Sequence, residues 1–286
     1  MKRIISAGIL LLLGVAVLFY PAISSYLSEK NSSHALDSHS QTMAALDPEV
    51  AKAEREKAVI YNESLAGNPL RDPFVYGSGR AQQSNYYELL NINGDNIMGR
   101  IEIPKINVNL PFYHSTRESV LKRGVGHLEG SSMPVGGPNT HSVLTGHTGL
   151  TSAKLFTDLT ELENGDLFFL TVLGETLAYE VDHIQVVEPE ETSSLRLKAG
   201  GDFCTLLTCT PYGVNSHRLL VRGARTKYIP EQKNTIKSVA YSHADRLVIM
   251  AAEAAVVAML ILITVTLDIR RLRENRALRR QLEKVG

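Results

Sequence analysis

Apolar residues are concentrated near the two ends of the chain. A run of 17 residues, Ile4 to Tyr20, directly follows the basic pair Lys2 and Arg3, which is typical of a cleaved signal peptide or an uncleaved signal anchor. No clear small-x-small cleavage site follows this run, and we therefore expect an anchor. A second run, Leu247 to Leu267, has 21 residues and one charge, which is enough to cross the hydrocarbon layer as a helix.

Charges beside the two apolar runs predict their orientation. The tail 268–286 carries seven Lys and Arg residues, and basic flanks of a membrane span stay in the cytoplasm. The basic pair at the N-terminus predicts the same side for the other end. We therefore expect two membrane spans, both termini in the cytoplasm, anionic membrane lipids as partners of the tail, and an exported region between the spans.

The exported region changes from a helical to an alternating pattern. Residues 28–46 are polar and serine-rich and are interpreted as a spacer, after which Asp47 and Pro48 favour the start of a helix that runs to Ala66. Beyond residue 95, alternation predicts the strands Met98–Ile103, Val108–Phe112, Ser142–Thr145, Asp166–Val172, Thr176–Val187, Phe203–Thr210 and Leu219–Arg225. Short strands separated by Gly and Pro favour a mainly β domain, either a closed barrel or a sandwich.

Composition and charge exclude several functional classes. The 30 basic and 30 acidic residues give a formal net charge of zero, which argues against a nucleic-acid partner, because nucleic-acid binding requires a basic face. A hydrophobic content of 44% excludes a wholly disordered chain. Two cysteines cannot form a disulfide-rich scaffold or a four-cysteine zinc site. No spacing of ligand residues indicates a metal ion or another cofactor.

Cys209 is the main candidate for chemistry. It lies two residues before Pro211, at the end of a predicted strand, where a side chain can reach a cleft. A hairpin over the loop 212–215 would bring Arg218 beside it, and a nearby guanidinium lowers the pKa of a thiol and can hold an oxyanion. His147, flanked by glycines at the end of another strand, could exchange the protons of such a reaction. The alternative is that Cys209 is an inert, buried small side chain.

Cys204 is the other cysteine in the chain. The two cysteines are five residues apart on one predicted strand, a separation of about 16 Å, whereas a disulfide needs Cα atoms within about 7 Å. We therefore expect Cys209 to be a free thiol and Cys204 to be a core residue.

Taken together, these segments resemble the sortases, and most closely the class C, pilus-assembling sortases of Gram-positive bacteria. The matching stretches are NTHSVLTGH at 139–147, LLTCTPYG at 206–213 and NSHRLLVRG at 215–223, and the similarity covers about residues 48–228. One departure is Thr148, where many relatives carry Arg after the histidine, and this difference concerns local substrate contacts.

The resemblance implies an eight-stranded sortase-type β-barrel and a cysteine transpeptidase. Cys209 would attack the Thr–Gly bond of an LPXTG-like sorting signal and form a thioacyl intermediate. His147 would act as general acid and base, and Arg218 would bind the substrate and its oxyanion. The substrates would be pilin or surface proteins, and an acceptor lysine of a second pilin would resolve the intermediate as an isopeptide bond. The family needs no cofactor.

The resemblance also implies a lid over the active site. The class C lid carries an Asp-Pro-aromatic signature, which is matched here by Asp72, Pro73 and Phe74. It would place Asp72 near Arg218 and Phe74 over the thiol, and we expect such a gate to make few contacts with the barrel. Without the resemblance, the same residues would be an ordinary linker between helix and barrel.

The chain accordingly divides into seven predicted segments. They are an anchor at 1–27, a polar spacer and helix at 28–70, a lid at 71–80, a catalytic barrel at 81–229, a linker at 230–246, a membrane helix at 247–267 and a basic cytoplasmic tail at 268–286.

Two other functions remain open at this point. One is a housekeeping sortase that anchors surface proteins to the cell wall, since the same three catalytic residues permit it. The other is a membrane-tethered β-barrel that binds without catalysis, for which Cys209 would be buried and have a high pKa. A papain-like protease is disfavoured, because in those enzymes the cysteine precedes the histidine.

Overall fold

The computed structural model describes residues 2–65, 70–76, 85–150, 152–238 and 251–274, the last range without 262, 268 and 272. The chain divides into two units, one formed by Ser24–Ala240 and the other by Met1–Ile23 with Tyr241–Gly286. The first unit contains the barrel and all the predicted site residues.

A closed β-barrel forms the core of the larger unit. The described residues contain eight strands, which close in the order β1-β2-β3-β4-β7-β8-β6-β5. Their bounds are β1 Ile97–Ile103, β2 Val108–His114, β3 Val125–His127, β4 Thr140–Thr145, β5 Leu167–Val172, β6 Glu175–Val187, β7 Asp202–Thr210 and β8 His217–Thr226. The pairs β2–β3 and β4–β7 are parallel, and the other neighbours are antiparallel. The seven predicted strands and the barrel are confirmed, whereas β3 was not predicted.

Alternation along the strands separates two faces of the barrel wall. Cys204 and Leu206 of β7 belong to the main core cluster that fills the interior. Leu207 belongs instead to a second cluster, on the opposite face of the same strand. Gly223 of β8 permits close packing in the interior, because a Cβ there would lie 2.5 Å from the ring of Phe168. Successive residues of a strand point to opposite faces, so Cys209 shares its face with Leu207.

Five α-helices lie before, between and directly after the strands in the described part of the chain. They are α1 Lys2–Ala44, α2 Pro48–Glu63, α3 Pro73–Tyr76, α4 Glu118–Leu121 and α5 Pro230–Thr235. The start of α2 is as predicted: Asp47 caps it by accepting a hydrogen bond from the Glu49 backbone N at 2.8 Å. The helix ends three residues before the predicted Ala66, which lies outside the described residues.

The polar stretch after the first apolar run is helical. Residues 28–46 were predicted as a spacer, but α1 continues through them to Ala44. Ser32, Leu36 and His39 are buried, and their spacing of three or four residues places them on one face of a helix. Ala35 packs against the cluster formed by Ile97, Tyr113 and Val120 on the barrel. Tertiary packing on this face therefore explains why the polar sequence forms a helix.

One helix among the described residues, Ala251–Arg271, is long and apolar enough to cross a membrane, with a mean hydropathy of 2.1. We expected two such helices. The predicted span 247–267 overlaps this one, but residues 247–250 lie outside the described residues, as does most of the tail 268–286. The N-terminal run lies in α1, and most of its side chains also lie outside the described part. The predicted linker 230–246 begins with α5 and is described only to residue 238.

A buried asparagine fastens α2 to the barrel. The Asn62 side chain donates to the Met133 carbonyl at 3.1 Å and accepts from the Met133 backbone N at 2.6 Å. We predict that Asn62→Ala lowers the free energy of unfolding by about 1–3 kcal/mol, because the Met133 N–H loses its partner inside the protein, while the Met133 carbonyl keeps the hydrogen bond from the Val135 backbone N at 2.8 Å. Urea unfolding of the exported region measures this change.

Asn234→Ala is the control for that experiment, because Asn234 is exposed in α5. We expect it to change the stability by less than about 0.5 kcal/mol. Equal stabilities of the two variants would show that the Asn62 contacts do not hold α2 in place.

Candidate active site

Cys209 and Arg218 face each other on neighbouring strands. The antiparallel register of β7 and β8 pairs Cys209 with Arg218, one pair before the hairpin opens at Thr210 and His217. Directly opposed residues project from the same face of a sheet. The predicted position of Arg218 beside the thiol is therefore confirmed.

Arg218 forms a buried ion pair with Asp72. Its Nε donates to Asp72 Oδ2 at 2.6 Å and its Nη2 donates to Oδ1 at 3.2 Å. The exposed fractions of the two side chains are 6% and 2%. Nη1 donates to the backbone carbonyls of Asn215 and His217 at 3.1 and 3.0 Å. Each guanidinium nitrogen thus has a partner, and a substrate must displace Asp72 to use this cation.

Phe74 lies between the guanidinium and the imidazole. The centroid of its ring is 5.2 Å from Arg218 Cζ and 5.4 Å from the centroid of the His147 ring. It also packs on the second cluster, which contains Leu128, Val143, Leu195, Leu207 and Leu220. Phe74 therefore links His147 and Arg218, while Arg218 is opposite Cys209. The structure brings the three predicted catalytic residues and the predicted lid to one place on the barrel.

The segment that carries Asp72 and Phe74 makes several contacts with the rest of the protein. Pro73 is buried at the start of α3, where its fixed φ suits a helix. The Asp72 carboxylate also accepts from the Phe74 backbone N at 2.9 Å. Thr192 donates to the Leu70 carbonyl at 3.1 Å. These contacts are more than we expected for a gate, and they fix this segment over the Cys209–Arg218 pair.

His147 follows the end of β4 and meets a carboxylate that the sequence did not single out. Its Nε2 lies 3.3 Å from Glu118 Oε2, and Glu118 is the first residue of α4. The Phe156 backbone N donates to the His147 carbonyl at 3.1 Å. Gly146 must be small, because a Cβ there would lie 2.7 Å from the Phe156 ring. No sequence pattern marks Glu118, since the pair forms only through the fold.

The thiol of Cys209 is held in its protonated form. The residue is 8% exposed, and burial raises its pKa to about 11. Arg218 lowers this pKa and Asp72 raises it. The predicted effect of the guanidinium is confirmed in its direction, because Arg218 lowers the thiol pKa. The thiol pKa is nevertheless raised, because burial outweighs Arg218 and the Asp72 carboxylate opposes it. A buried thiol with a high pKa was also the expectation for a non-catalytic barrel. Here, however, part of the rise in pKa comes from Asp72, a residue of the predicted lid.

Cys204 is a core residue, as predicted. It is fully buried, both cysteines are free, and burial raises the Cys204 pKa well above its ordinary value. The two thiols of the chain therefore lie on opposite faces of β7.

Metal-binding side chains are dispersed in the part of the chain that the structure describes. No three His, Cys, Asp or Glu residues there are grouped closely enough to hold an ion. The chemical groups of the site are the thiol, the imidazole, the guanidinium and the carboxylates of Asp72 and Glu118.

We predict that Asp72→Asn increases the reactivity of Cys209. Asparagine keeps a hydrogen-bond acceptor beside Arg218 but removes the negative charge that raises the thiol pKa. The rate of alkylation by iodoacetamide at pH 8 should rise about 3- to 10-fold, and the midpoint of its pH profile should move down from about 11.

Asp182→Asn is a matched control for this charge removal. Asp182 of β6 accepts from Arg222 of β8 at 2.9 and 2.8 Å, also in a bidentate pair. Its removal should leave the alkylation profile of Cys209 unchanged. A profile that is the same in wild type and Asp72→Asn would refute the electrostatic role of the lid.

Comparison with known proteins identifies the family. The sortase domain family matches residues 101–226. Sortase D of Bacillus subtilis is 33% identical over 130 residues, which is 44% of this chain and 63% of that protein. The chain thus spans somewhat less than two thirds of the length of this curated relative.

Solved structures of sortases are matched by this chain over a larger share of their length than the curated relative is. Sortase C-1 from Actinomyces oris is 52% identical with a TM-score of 0.59, covering 62% of this chain and 99% of that one. Sortase C of Streptococcus pneumoniae is 40% identical with a TM-score of 0.64, covering 68% and 97%. With these matches, the chain belongs to the sortase family of cysteine transpeptidases.

Proposed function

We propose that this chain is a membrane-anchored transpeptidase that cleaves an LPXTG-like sorting signal and joins pilin subunits through lysine isopeptide bonds. The observation that carries the proposal is the bidentate pair between Asp72 and Arg218, opposite Cys209. It matches the lid that the resemblance to class C sortases implies. The similar sortase C of Streptococcus pneumoniae is itself described in terms of pilin substrate specificity.

Acyl transfer to the enzyme begins at Cys209. Its thiol gives its proton to His147, and the resulting thiolate attacks the carbonyl carbon of the threonine in the sorting signal, so that the carbonyl oxygen becomes an oxyanion. Arg218 donates hydrogen bonds to that oxygen, which stabilises the charge as it develops. His147 gives a proton to the glycine nitrogen as the Thr–Gly bond breaks. The products are a thioester on Cys209 and the free amine of the released fragment.

Transfer to the second subunit reverses the proton movements. The neutral ε-amine of an acceptor lysine attacks the thioester carbon, and His147 takes the proton that the amine loses. The carbon–sulfur bond breaks, and Cys209 leaves as a thiolate, which takes a proton back from His147. The new bond is an isopeptide amide between the threonine carbonyl and the lysine side chain.

The lid controls when Arg218 is available. Asp72 occupies two of the donors that the oxyanion needs, and Phe74 covers the face between Arg218 and His147. Substrate binding must therefore move Asp72, Pro73 and Phe74 together. An incoming carbonyl receives the guanidinium donors only after the carboxylate has left, and in this way the enzyme avoids wasteful hydrolysis between substrates.

The proposed location is the cell membrane. The helix Ala251–Arg271 and the apolar run in α1 would be the two spans, with both termini cytoplasmic and the barrel on the outer side. Membrane lipids would then surround both spans, and the basic tail 268–286 would lie against anionic headgroups. The sorting signal of a membrane-attached pilin would reach the barrel from the same surface.

We predict that Cys209→Ala abolishes crosslinking of a pilin that carries an LPXTG-like signal. Removal of the sulfur leaves no nucleophile for the thioester, so cleavage should fall by more than about 1,000-fold. Electrophoresis of the exported region mixed with pilin, with mass spectrometry of the linked peptide, measures both steps.

Cys204→Ala is the internal control for that experiment. This cysteine lies in the interior of the barrel, so the variant should keep crosslinking activity at a temperature below its unfolding transition. Crosslinking that persists in Cys209→Ala, or that is absent from both wild type and Asp72→Asn, would contradict the proposed function.

The acceptor distinguishes pilus assembly from cell-wall anchoring. We predict that, once the acyl-enzyme has formed, a pilin lysine resolves it at least about tenfold faster than a peptidoglycan-type amine at equal concentration, because a protein surface adds binding energy near the reacting amine. Competition between the two amines, read by mass spectrometry, measures the ratio. Faster transfer to the cell-wall amine would assign this chain the housekeeping role.

A further inference from the structure

Three cross-strand pairs of β7 and β8 form a ladder on the face that carries the thiol. The register pairs Cys209 with Arg218, Leu207 with Leu220, and Thr205 with Arg222. Because every second residue of a strand points to the same side, all six side chains belong to one face. The active-site pair therefore continues through an apolar pair into a polar pair.

A small cavity lies at the third pair. It has a volume of about 60 Å³, and it is lined by Thr205, Leu220 and Arg222 together with His183, Gln185, Ser194 and Lys198. Leu220 also belongs to the cluster on which Phe74 packs. The cavity is thus contiguous with the apolar floor beneath the lid, while no lid residue among those described lines it.

Two cations give this cavity a positive character. Arg222 is partly neutralised by Asp182 and lies 4.6 Å from the centroid of the Phe203 ring. Lys198 Nζ lies 6.0 Å from the same centroid, and no carboxylate within the described part of the chain is at ion-pair distance from it. Burial is the main cause that lowers the pKa of His141; Arg222 and Lys198 lower it further, while Asp182 raises it.

The hydroxyl of Thr205 is already engaged. His141 has its pKa lowered to about 4 by burial and is neutral. Its Nδ1 is 3.0 Å from the Arg196 carbonyl and therefore donates, so its Nε2 accepts from Thr205 Oγ1 at 2.7 Å. The donors that remain at this cavity include the two cations Lys198 and Arg222 beside the neutral groups of Ser194 and Gln185. The positive charge of the cations favours an anion over a neutral hydrogen-bonding group.

The distance along the strand sets what can reach the cavity from the active site. Cys209 and Thr205 are four residues apart on β7, about 13 Å at 3.3 Å per residue. An extended peptide acylated on Cys209 covers the same distance in about four residues. If the threonine of the sorting signal is bound to Cys209, the fourth residue before it is the one that directly precedes an LPXT sequence.

We propose that the Lys198–Arg222 cavity is a subsite for an acidic side chain directly preceding the sorting motif. This assignment rests on the proposed function, because it uses the acyl-enzyme to set the register. The subsite would bind the part of the substrate that precedes the scissile bond, because only this part stays on the enzyme while the acceptor enters. A charge contact about 13 Å from the thioester holds the acyl chain in the groove without obstructing the incoming amine.

The test compares peptides that differ only at the residue before the motif. Glutamate there should give a kcat/KM about three- to fivefold higher than glutamine in wild type, the size expected for a partly exposed charge pair. Lys198→Glu should reverse the preference. Lys227→Glu makes the same charge change at an exposed residue beyond the end of β8 and should retain the wild-type preference. Added salt should reduce the preference in wild type.

A binding measurement separates the subsite from catalysis. Fluorescence anisotropy of the two labelled peptides on Cys209→Ala should show a Kd that is three- to fivefold lower for the glutamate peptide. This is about the difference expected for a partly exposed charge pair. Equal cleavage and equal binding of both peptides, or a preference that Lys198→Glu leaves intact, would overturn the subsite while leaving the proposed function standing. A glutamate preference on the leaving side of the scissile bond would overturn its placement. A binding preference without Cys209-dependent cleavage would support the subsite and overturn the proposed function.

Discussion

The buried pair between Asp72 and Arg218 is the interaction on which the state of this site depends. A guanidinium that donates two hydrogen bonds to a carboxylate cannot give the same donors to an oxyanion. The pair also sets the electrostatics of Cys209, because the carboxylate cancels part of the field by which Arg218 lowers the thiol pKa. In the proposed reaction, the lid would control oxyanion binding and thiolate formation through this one contact.

The position of that contact follows from strand register. A hairpin between β7 and β8 aligns Cys209 with Arg218, and the loop length and Pro211 made this alignment predictable from the sequence. Strong alternation also predicted seven of the strands. The sequence did not predict β3, because three residues, Val125–His127, are too few to show a period. Nor did it predict the helical end of α1, which is stabilised by packing on the barrel rather than by its own composition.

The site residues likewise divide into those that the sequence predicted and those that depend on the fold. Cys209, Arg218, His147 and the lid residues carry recognisable local patterns, and the fold brings them together around the Phe74 ring. Glu118 carries none, since its contact with His147 depends on how α4 packs. The thiol pKa could not be inferred either, because burial outweighs the neighbouring cation, and burial is a property of the folded state.

The most direct measurement is the titration of Cys209 in the unmodified exported region, followed by the 13C chemical shift of its β-carbon. Cys204 provides a second, non-titrating cysteine signal in the same sample, because its pKa is raised still further by complete burial. We predict that Cys209 stays a thiol through neutral pH and titrates near pH 11. A thiolate already formed at neutral pH would contradict the conclusion that the lid and burial hold the nucleophile in its protonated form.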